Sequence, residues 1–237
     1  MFRRPRPTYD VEVGAVTPLT STLLRLTFSG PGLADLTIEH PTQWVKLAIP
    51  EGSSRAYTIR HHRPAAREVD IDVVLHGNGP LARWAAAARP GDRARLAGPR
   101  GRHPDFDGAA HVLLAADESA LPAALTILEQ LGPTTEVSAY FEIATPEDTV
   151  PLPDRPGITT SWLARSTGPG SFGHPKGVLL TDTLLATDIP PGTVAWLAGE
   201  ATAVATLRRH LLSDWSLPRE HVHAKGYWKH GEADHKG

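Results

Sequence analysis

The sequence predicts a two-part chain: an N-terminal antiparallel β-barrel followed by a C-terminal parallel-sheet α/β domain. Three observations carry this. Residues 8 to about 101 hold short runs rich in Val, Ile, Leu and Thr, separated by turn sequences, which is the grammar of an all-β barrel or sandwich. From residue 109 onward, continuous apolar runs alternate with stretches of helical periodicity, which is the grammar of a parallel α/β sheet. A chain of 237 residues suits one large or two small domains, and 41% hydrophobic residues are enough to build their cores. The expected division is 1–104 and 105–237.

In the first part the strands are expected at Tyr9–Val16, Thr22–Ser29, Trp44–Ile49, Ala56–Arg60, Val69–Leu75 and Arg93–Ala97. Period-2 alternation in Val11-Glu-Val-Gly-Ala-Val and Val69-Asp-Ile-Asp-Val-Val leaves one face of each half-exposed. A short helix is expected over Pro80–Ala88, with Pro at its first position and Pro90-Gly91-Asp92 closing it. In the second part Ala109–Ala116 reads as a strand buried on both faces. It is followed by a helix over Ala120–Leu131, strands at Glu136–Ile143 and Ile158–Leu163, and a helix at Leu179–Ala186. A strand at Thr193–Ala198, a helix at Ala201–Leu212 and a short strand near Val222–Lys225 complete it.

Composition removes several classes of function. Cysteine is absent, so disulfides, thiol nucleophiles, zinc fingers and Cys-ligated iron–sulfur clusters are excluded. Lys+Arg 24 against Asp+Glu 26 leaves no basic excess for nucleic acid or a membrane surface. No apolar run reaches the ~18 residues of a membrane span, and Met1-Phe-Arg-Arg-Pro-Arg-Pro leads into no apolar segment of a secretory signal. The expectation is a cytoplasmic monomer with no membrane insertion. Five of the 24 cations are Lys, so Arg dominates and bidentate phosphate contacts are available. The histidine pairs His61-His62 and His221-Val-His223 lack a third ligand at metal spacing, so no metal site is expected.

Three segments carry the candidate chemistry. Arg55-Ala-Tyr-Thr-Ile-Arg60 offers a cation for phosphate, an aromatic plate for a planar ring and a hydroxyl for a ring nitrogen; alternatively it is a solvated edge strand. His76-Gly-Asn-Gly-Pro-Leu-Ala-Arg-Trp84 follows a strand and opens a helix whose backbone N–H groups suit an anion; alternatively it is a tight turn. Its Gly-x-Gly-x-x-Ala spacing resembles a dinucleotide fingerprint, but the preceding strand belongs to the antiparallel half. Ala115-Ala-Asp-Glu-Ser-Ala-Leu-Pro122 and Ala198-Gly-Glu-Ala201 are strand-to-helix turns at the carboxyl ends of parallel strands, where such sheets bind ligands. Asp117 and Ser119 read equally well as helix caps.

The order of these segments is similar to the ferredoxin-reductase-like flavoproteins. In detail the chain resembles the siderophore-interacting protein family. The resemblance rests on the Arg55–Arg60 segment, Asp70-Ile-Asp-Val-Val-Leu-His-Gly77, Gly79-Pro80 with Trp84-Ala85, Gly91-Asp92 and Gly98-Pro-Arg-Gly101. It continues through Asp117-Glu-Ser-Ala-Leu-Pro-Ala123, Trp162-Leu163 with Arg165, Ala198-Gly-Glu-Ala201 and Gly226-Tyr-Trp-Lys229. The resemblance implies an FAD-dependent ferric-siderophore reductase that takes electrons from NADH, NADPH or a ferredoxin and releases Fe(II). The alternatives are a flavin reductase serving another acceptor and a non-catalytic siderophore- or nucleotide-binding protein.

By resemblance, Arg55 meets the FAD pyrophosphate, Ala56 is a cofactor-binding residue beside it, Tyr57 packs along the isoalloxazine and Thr58 reaches its reactive nitrogen, making Tyr57 and Thr58 the catalytic pair. Asp72, Val74, His76, Gly79, Pro80, Leu81 and Ala82 hold the ribityl and phosphate groups. Asp117, Glu118, Ser119, Ala120, Trp162, Arg165, Gly199 and Glu200 form the nicotinamide-nucleotide side. Lys46, Lys225, Trp228 and Lys229 are the candidates for an anionic siderophore. Glu142 favours NADH through a ribose hydroxyl and Arg165 favours NADPH through a 2′-phosphate; the sequence leaves both open. The chain departs from the family pattern at Leu81-Ala82, which lacks a hydroxyl, at Ala116 where Gly is usual, and in the short loop from Ile49 to Arg55.

Overall fold

The computed structural model describes residues 6–75, 79–102, 104–166 and 173–232. The chain divides into two compact units, residues 1–103 and residues 104–237.

The first unit has strands β1 (Thr8–Pro18), β2 (Leu23–Ser29), β3 (Trp44–Ala48), β4 (Ser54–Thr58), β5 (His61–Arg63), β6 (Glu68–Val74) and β7 (Arg93–Arg100), with helix α1 (Pro80–Ala87) between the last two. All pairings are antiparallel, in the order β4-β3-β7-β1-β2-β6-β5. The two outermost strands are consecutive in the chain, so residues 59–60 carry it from one edge of the sheet to the other. Ile59 N donates to Gln43 O beside β3, and Arg60 N donates to Asp70 O on β6, at 2.9 Å each. The crossing at residues 59–60 thus ties the two outer strands of the sheet to each other through the chain, which bends the sheet into a barrel.

The expected strand Ala56–Arg60 thus starts two residues earlier and breaks after Thr58, because its second half must turn toward a different partner. Alternation sends Val11, Val13, Leu26, Phe28, Val45, Leu47, Val69, Ile71 and Leu96 into one core. A short 3-10 turn over Pro31–Asp35, unanticipated from sequence, buries Leu33 completely in that core. The Leu33 carbonyl accepts from His62 Nε2 at 2.8 Å.

The second unit contains β8 (His111–Asp117), α2 (Leu121–Gln130), β9 (Glu136–Ile143), β10 (Ile158–Ala164), α3 (Val178–Leu185), β11 (Val194–Glu200), α4 (Ala201–Ser213) and β12 (Val222–Trp228). All five strands are parallel, in the order β10-β9-β8-β11-β12. The continuous apolar run of β8 has a direct cause. Val112, Leu114 and Ala116 pack with α2 on one face, while Leu113 and Ala115 pack with Leu180, Leu184, Leu207 and Leu211 from α3 and α4 on the other. At the amino end, His111 links β8 to β9 and to the residue that leads into β11: its Nδ1 lies 2.8 Å from Thr193 Oγ1 and its Nε2 2.9 Å from Ser138 Oγ. Thr193 donates its own hydroxyl to Pro190 O, so His111 Nδ1 carries the proton and Nε2 accepts. The chain leaves β8 toward β9 and β10 and later returns beside β8 as β11. The carboxyl ends of β8 and β11 therefore form the switch point where such sheets bind ligands.

Candidate functional site

In the barrel, β4 places Arg55 opposite Leu47 and Tyr57 opposite Val45, so Tyr57 lies against the core while Arg55 is exposed at the strand's end. Burial pushes the Tyr57 phenol up to about 12, and the nearby Arg55 guanidinium pulls only weakly the other way. Tyr57 is therefore a neutral aromatic plate at any ordinary pH. Thr58 sits on the opposite side of the strand, paired with Trp44, and is 7% exposed. The described residues make no hydrogen bond to its hydroxyl. Ala56 pairs with Lys46 of β3, which is half-buried on the same outer side. The Arg100 guanidinium lies 5.2 Å over the Trp44 ring, a contact that sequence spacing gave no means of finding.

Helix α1 starts at Pro80 with Gly79 as an extended N-cap, and among the described residues no side chain caps it. The first intrahelical bond runs from Arg83 N to Gly79 O, so the Leu81 and Ala82 amides precede it and remain available to an anion. A Cβ at Gly79 would meet nothing within 4 Å, so the approach is open. Leu81 is buried in the barrel core and anchors the helix. An exposed cation, a hydroxyl without a hydrogen-bond partner among the described residues, an aromatic plate and a helix start with open amides fit the parts of a flavin dinucleotide. His76, with Gly77 and Asn78, lies outside the described residues. Asp72 is placed otherwise than expected: Arg25, directly opposite on β2, grips its carboxylate at 2.7 and 2.9 Å, and Arg60 Nε stands 4.0 Å away. Its carboxylate thus serves the sheet, and the strand end at Val74, half-buried, offers backbone instead.

In the α/β unit the expected residues come together at one end of the sheet, and they bind one another. Asp117 Oδ1 accepts from Ser119 N and Ser119 Oγ, at 2.9 and 2.5 Å. Its Oδ2 accepts from Glu200 N at 2.9 Å and from Trp228 Nε1 at 2.8 Å. Burial pushes the Asp117 carboxyl above the ordinary range, against the pull of its donors. Glu118 pairs with Arg165, which also reaches Glu142 at 3.2 Å. Glu142 is fully buried and accepts from Gly177 N and Leu180 N, capping α3 at 2.6 and 3.0 Å. Neither Glu142 nor Arg165 therefore faces a ribose; both are held inside.

Glu200 caps α4 through Thr202 N and Ala203 N. Ala120 is buried at the N-cap of α2, and the Trp162 ring packs against Phe141 at a tilt of 48° with centroids 5.1 Å apart. On β12 a register shift at Gly199/Glu200 sets Trp228 opposite Glu200. Lys225 Nζ lies 5.7 Å over Tyr227, and Lys229 pairs with Glu232. Lys176, passed over in a Gly/Pro-rich stretch, stands 5.3 Å over the Trp228 ring. Among the described residues no His, Asp and Glu cluster is arranged to hold a metal ion, and no helix is long and apolar enough to cross a membrane.

Comparison with known proteins gives the family. Residues 109–231 match the family described as siderophore-interacting protein, and residues 51–103 match the siderophore-interacting FAD-binding domain. The ferric vibriobactin reductase of Vibrio cholerae is 27% identical over 237 residues, covering 90% of this chain and 86% of its own. A siderophore utilization protein from T. fusca superposes with a TM-score of 0.87 at 33% identity, covering 99% of this chain and 97% of its own. A ferredoxin NADP+ reductase from Neisseria gonorrhoeae shares the fold, with a TM-score of 0.72 at 19% identity over 93% of this chain and 99% of its own. The chain is an oxidoreductase of the siderophore-interacting protein family, with that family's FAD-binding domain in its barrel.

Proposed function

We propose that the protein is an FAD-dependent ferric-siderophore reductase, which takes electrons from a reduced nicotinamide nucleotide or a ferredoxin and releases iron as Fe(II). The observation that carries this reading is the barrel constellation of exposed Arg55, half-buried Tyr57, the Thr58 hydroxyl beside them on the same strand and the open start of α1, inside the segment that matches the family's FAD-binding domain. Arg55 and the first-turn amides of α1 bind the pyrophosphate. Tyr57 holds one side of the ring system, and Thr58 directs a hydrogen bond at a ring nitrogen. Bound flavin supplies the conversion of a two-electron input into single electrons that iron(III) needs. Lys46, beside Ala56 on the outer side of the same sheet, favours an anionic chelate by charge; within the α/β unit, Lys225 and Trp228 on β12 and Lys229 just after it are separate candidates for the same chemistry. Hard oxygen chelators hold Fe(II) far more weakly than Fe(III), so reduction is itself the release step.

The test is anaerobic. Protein reconstituted with FAD and reduced with dithionite is mixed with ferric desferrioxamine and a ferrous-specific chromogenic chelator. The expected result is return of the oxidised flavin spectrum together with the ferrous complex. Reduced flavin that persists beside the ferric chelate would sink the reading. The Thr58→Val variant is expected to bind FAD but return its spectrum about tenfold more slowly, the weight of one hydrogen bond in the reacting geometry.

A further inference from the structure

The carboxyl ends of β8 and β11 mark where an open α/β sheet receives a nucleotide phosphate, on backbone N–H groups at the strand-to-helix turns. In this chain that place already holds an anion. The two turn amides, Ser119 N and Glu200 N, both donate to the Asp117 carboxylate, and the Trp228 indole closes over its second oxygen. Gly199, whose missing side chain would leave room for a ligand, is filled from within: a Cβ there would lie 2.6 Å from Asp117 Oδ2. An incoming phosphate would have to displace this carboxylate or meet its charge. The adenosine side offers no compensation, because Arg165 is held between Glu118 and Glu142. Among the described residues no cation forms a salt bridge with Asp117, and Lys176 lies over the indole instead.

We propose that Asp117, closed in by Trp228, is a built-in anion that fills the β8/β11 crevice and excludes the diphosphate of a nicotinamide dinucleotide from it. Asp117 is then a specificity-determining residue for the electron donor: a donor reaches this flavin without being anchored by its pyrophosphate at the switch point. This rests on the reading above that an external donor reduces a bound flavin.

The first test is calorimetric titration of NADP+ and NAD+ into the full chain, wild type against Asp117→Ser and Asp117→Asn. Asp117→Ser removes the charge and frees both amides; Asp117→Asn removes the charge and keeps the shape. The expected result is dinucleotide binding at least about tenfold tighter in Asp117→Ser than in wild type, with Asp117→Asn between them. Equal or weaker binding in both variants overturns the proposal. Because Asp117 stitches two strand ends together, the wild-type holoprotein decides where both variants fail to fold. Its anaerobic flavin bleaching is followed with NADPH and with reduced nicotinamide mononucleotide, which lacks the diphosphate. Rates within about threefold of each other, neither saturating and absence of bleaching by both included, are the expected result. Saturable bleaching by NADPH at least about tenfold faster than by the mononucleotide overturns it. Reoxidation of dithionite-reduced flavin by the ferric chelate is read on the same sample, so failure of the reductase reading shows there, while the calorimetry stands apart from it.

Discussion

Gly199 and Asp117 show how closely one residue's identity depends on another. Gly199 has φ 143°, a backbone conformation that side-chain-bearing residues rarely adopt, and a Cβ would press into the Asp117 carboxylate. Gly199→Ala is expected to destabilise the protein by about 1–3 kcal/mol, read as a fall in the urea midpoint at unchanged slope. In the Asp117→Ala background the steric part of that loss disappears and only the backbone part remains, so the two substitutions are non-additive; strict additivity would show that the contact carries no energy. In the barrel, Arg55 is exposed and joined by its Nη1 to the Ser54 carbonyl. Arg55→Ala is expected to weaken FAD binding roughly tenfold, the size of one charge-assisted hydrogen bond. Arg55→Lys is expected to recover part of it, because a point charge replaces the bidentate fork. Fluorescence titration with FAD measures both.

The buried trio at the ends of β9 and β10 decides how α3 docks. Arg165 neutralises Glu118 and Glu142, all at most 8% exposed, and Glu142 then accepts the first amides of α3. Arg165→Met leaves two buried carboxylates without a cation and is expected to cost about 3–5 kcal/mol. Adding Glu118→Gln, which removes one orphaned charge, is expected to restore part of that stability in thermal unfolding. None of this pairing was legible in the sequence, since Glu118 and Arg165 are 47 positions apart and Asp117 and Trp228 are 111 apart. The elements themselves were legible where burial dictates pattern: the doubly packed β8, the alternating β1 and β6, and α1 with its Pro start. Strand β5 was not, because His61, His62 and Arg63 carry no apolar alternation. They form a strand because Asp70 and Glu68 on β6 bind them: His61 Nδ1 lies 3.1 Å and Arg63 Nη1 2.7 Å from Asp70, and Arg63 Nε 2.9 Å from Glu68. For the same reason the motifs could be placed in order along the chain, while the fact that Asp117, Arg165 and Glu200 bind inward could not be read from it.

Across the whole molecule, the two units carry buried carboxyls of opposite sign in their response to acid. Burial works against the Asp70 charge, but Arg63, His61 and the Thr27 hydroxyl outweigh it and hold the carboxyl well below the usual range. Its contribution to barrel stability is therefore full above the unfolded value of about 3.9 and declines as the pH falls below it, by up to about 1.4 kcal/mol per pH unit. Asp117 is shifted the other way by burial. The folded α/β unit binds that proton more readily than the unfolded chain, so acidification toward pH 4 relieves a strain present at neutral pH. The barrel is accordingly expected to yield first in acid. Digestion with pepsin at about pH 3 should cut first between residues 6 and 102, with fragments from beyond Pro104 persisting longer; first cuts beyond Pro104 would reverse the assignment. Asp70→Asn supplies the control, because it lowers barrel stability at neutral pH yet removes the titrating group. Its barrel should then lose no more stability between pH 5 and pH 3 than its α/β unit does, whereas the wild-type barrel should lose visibly more.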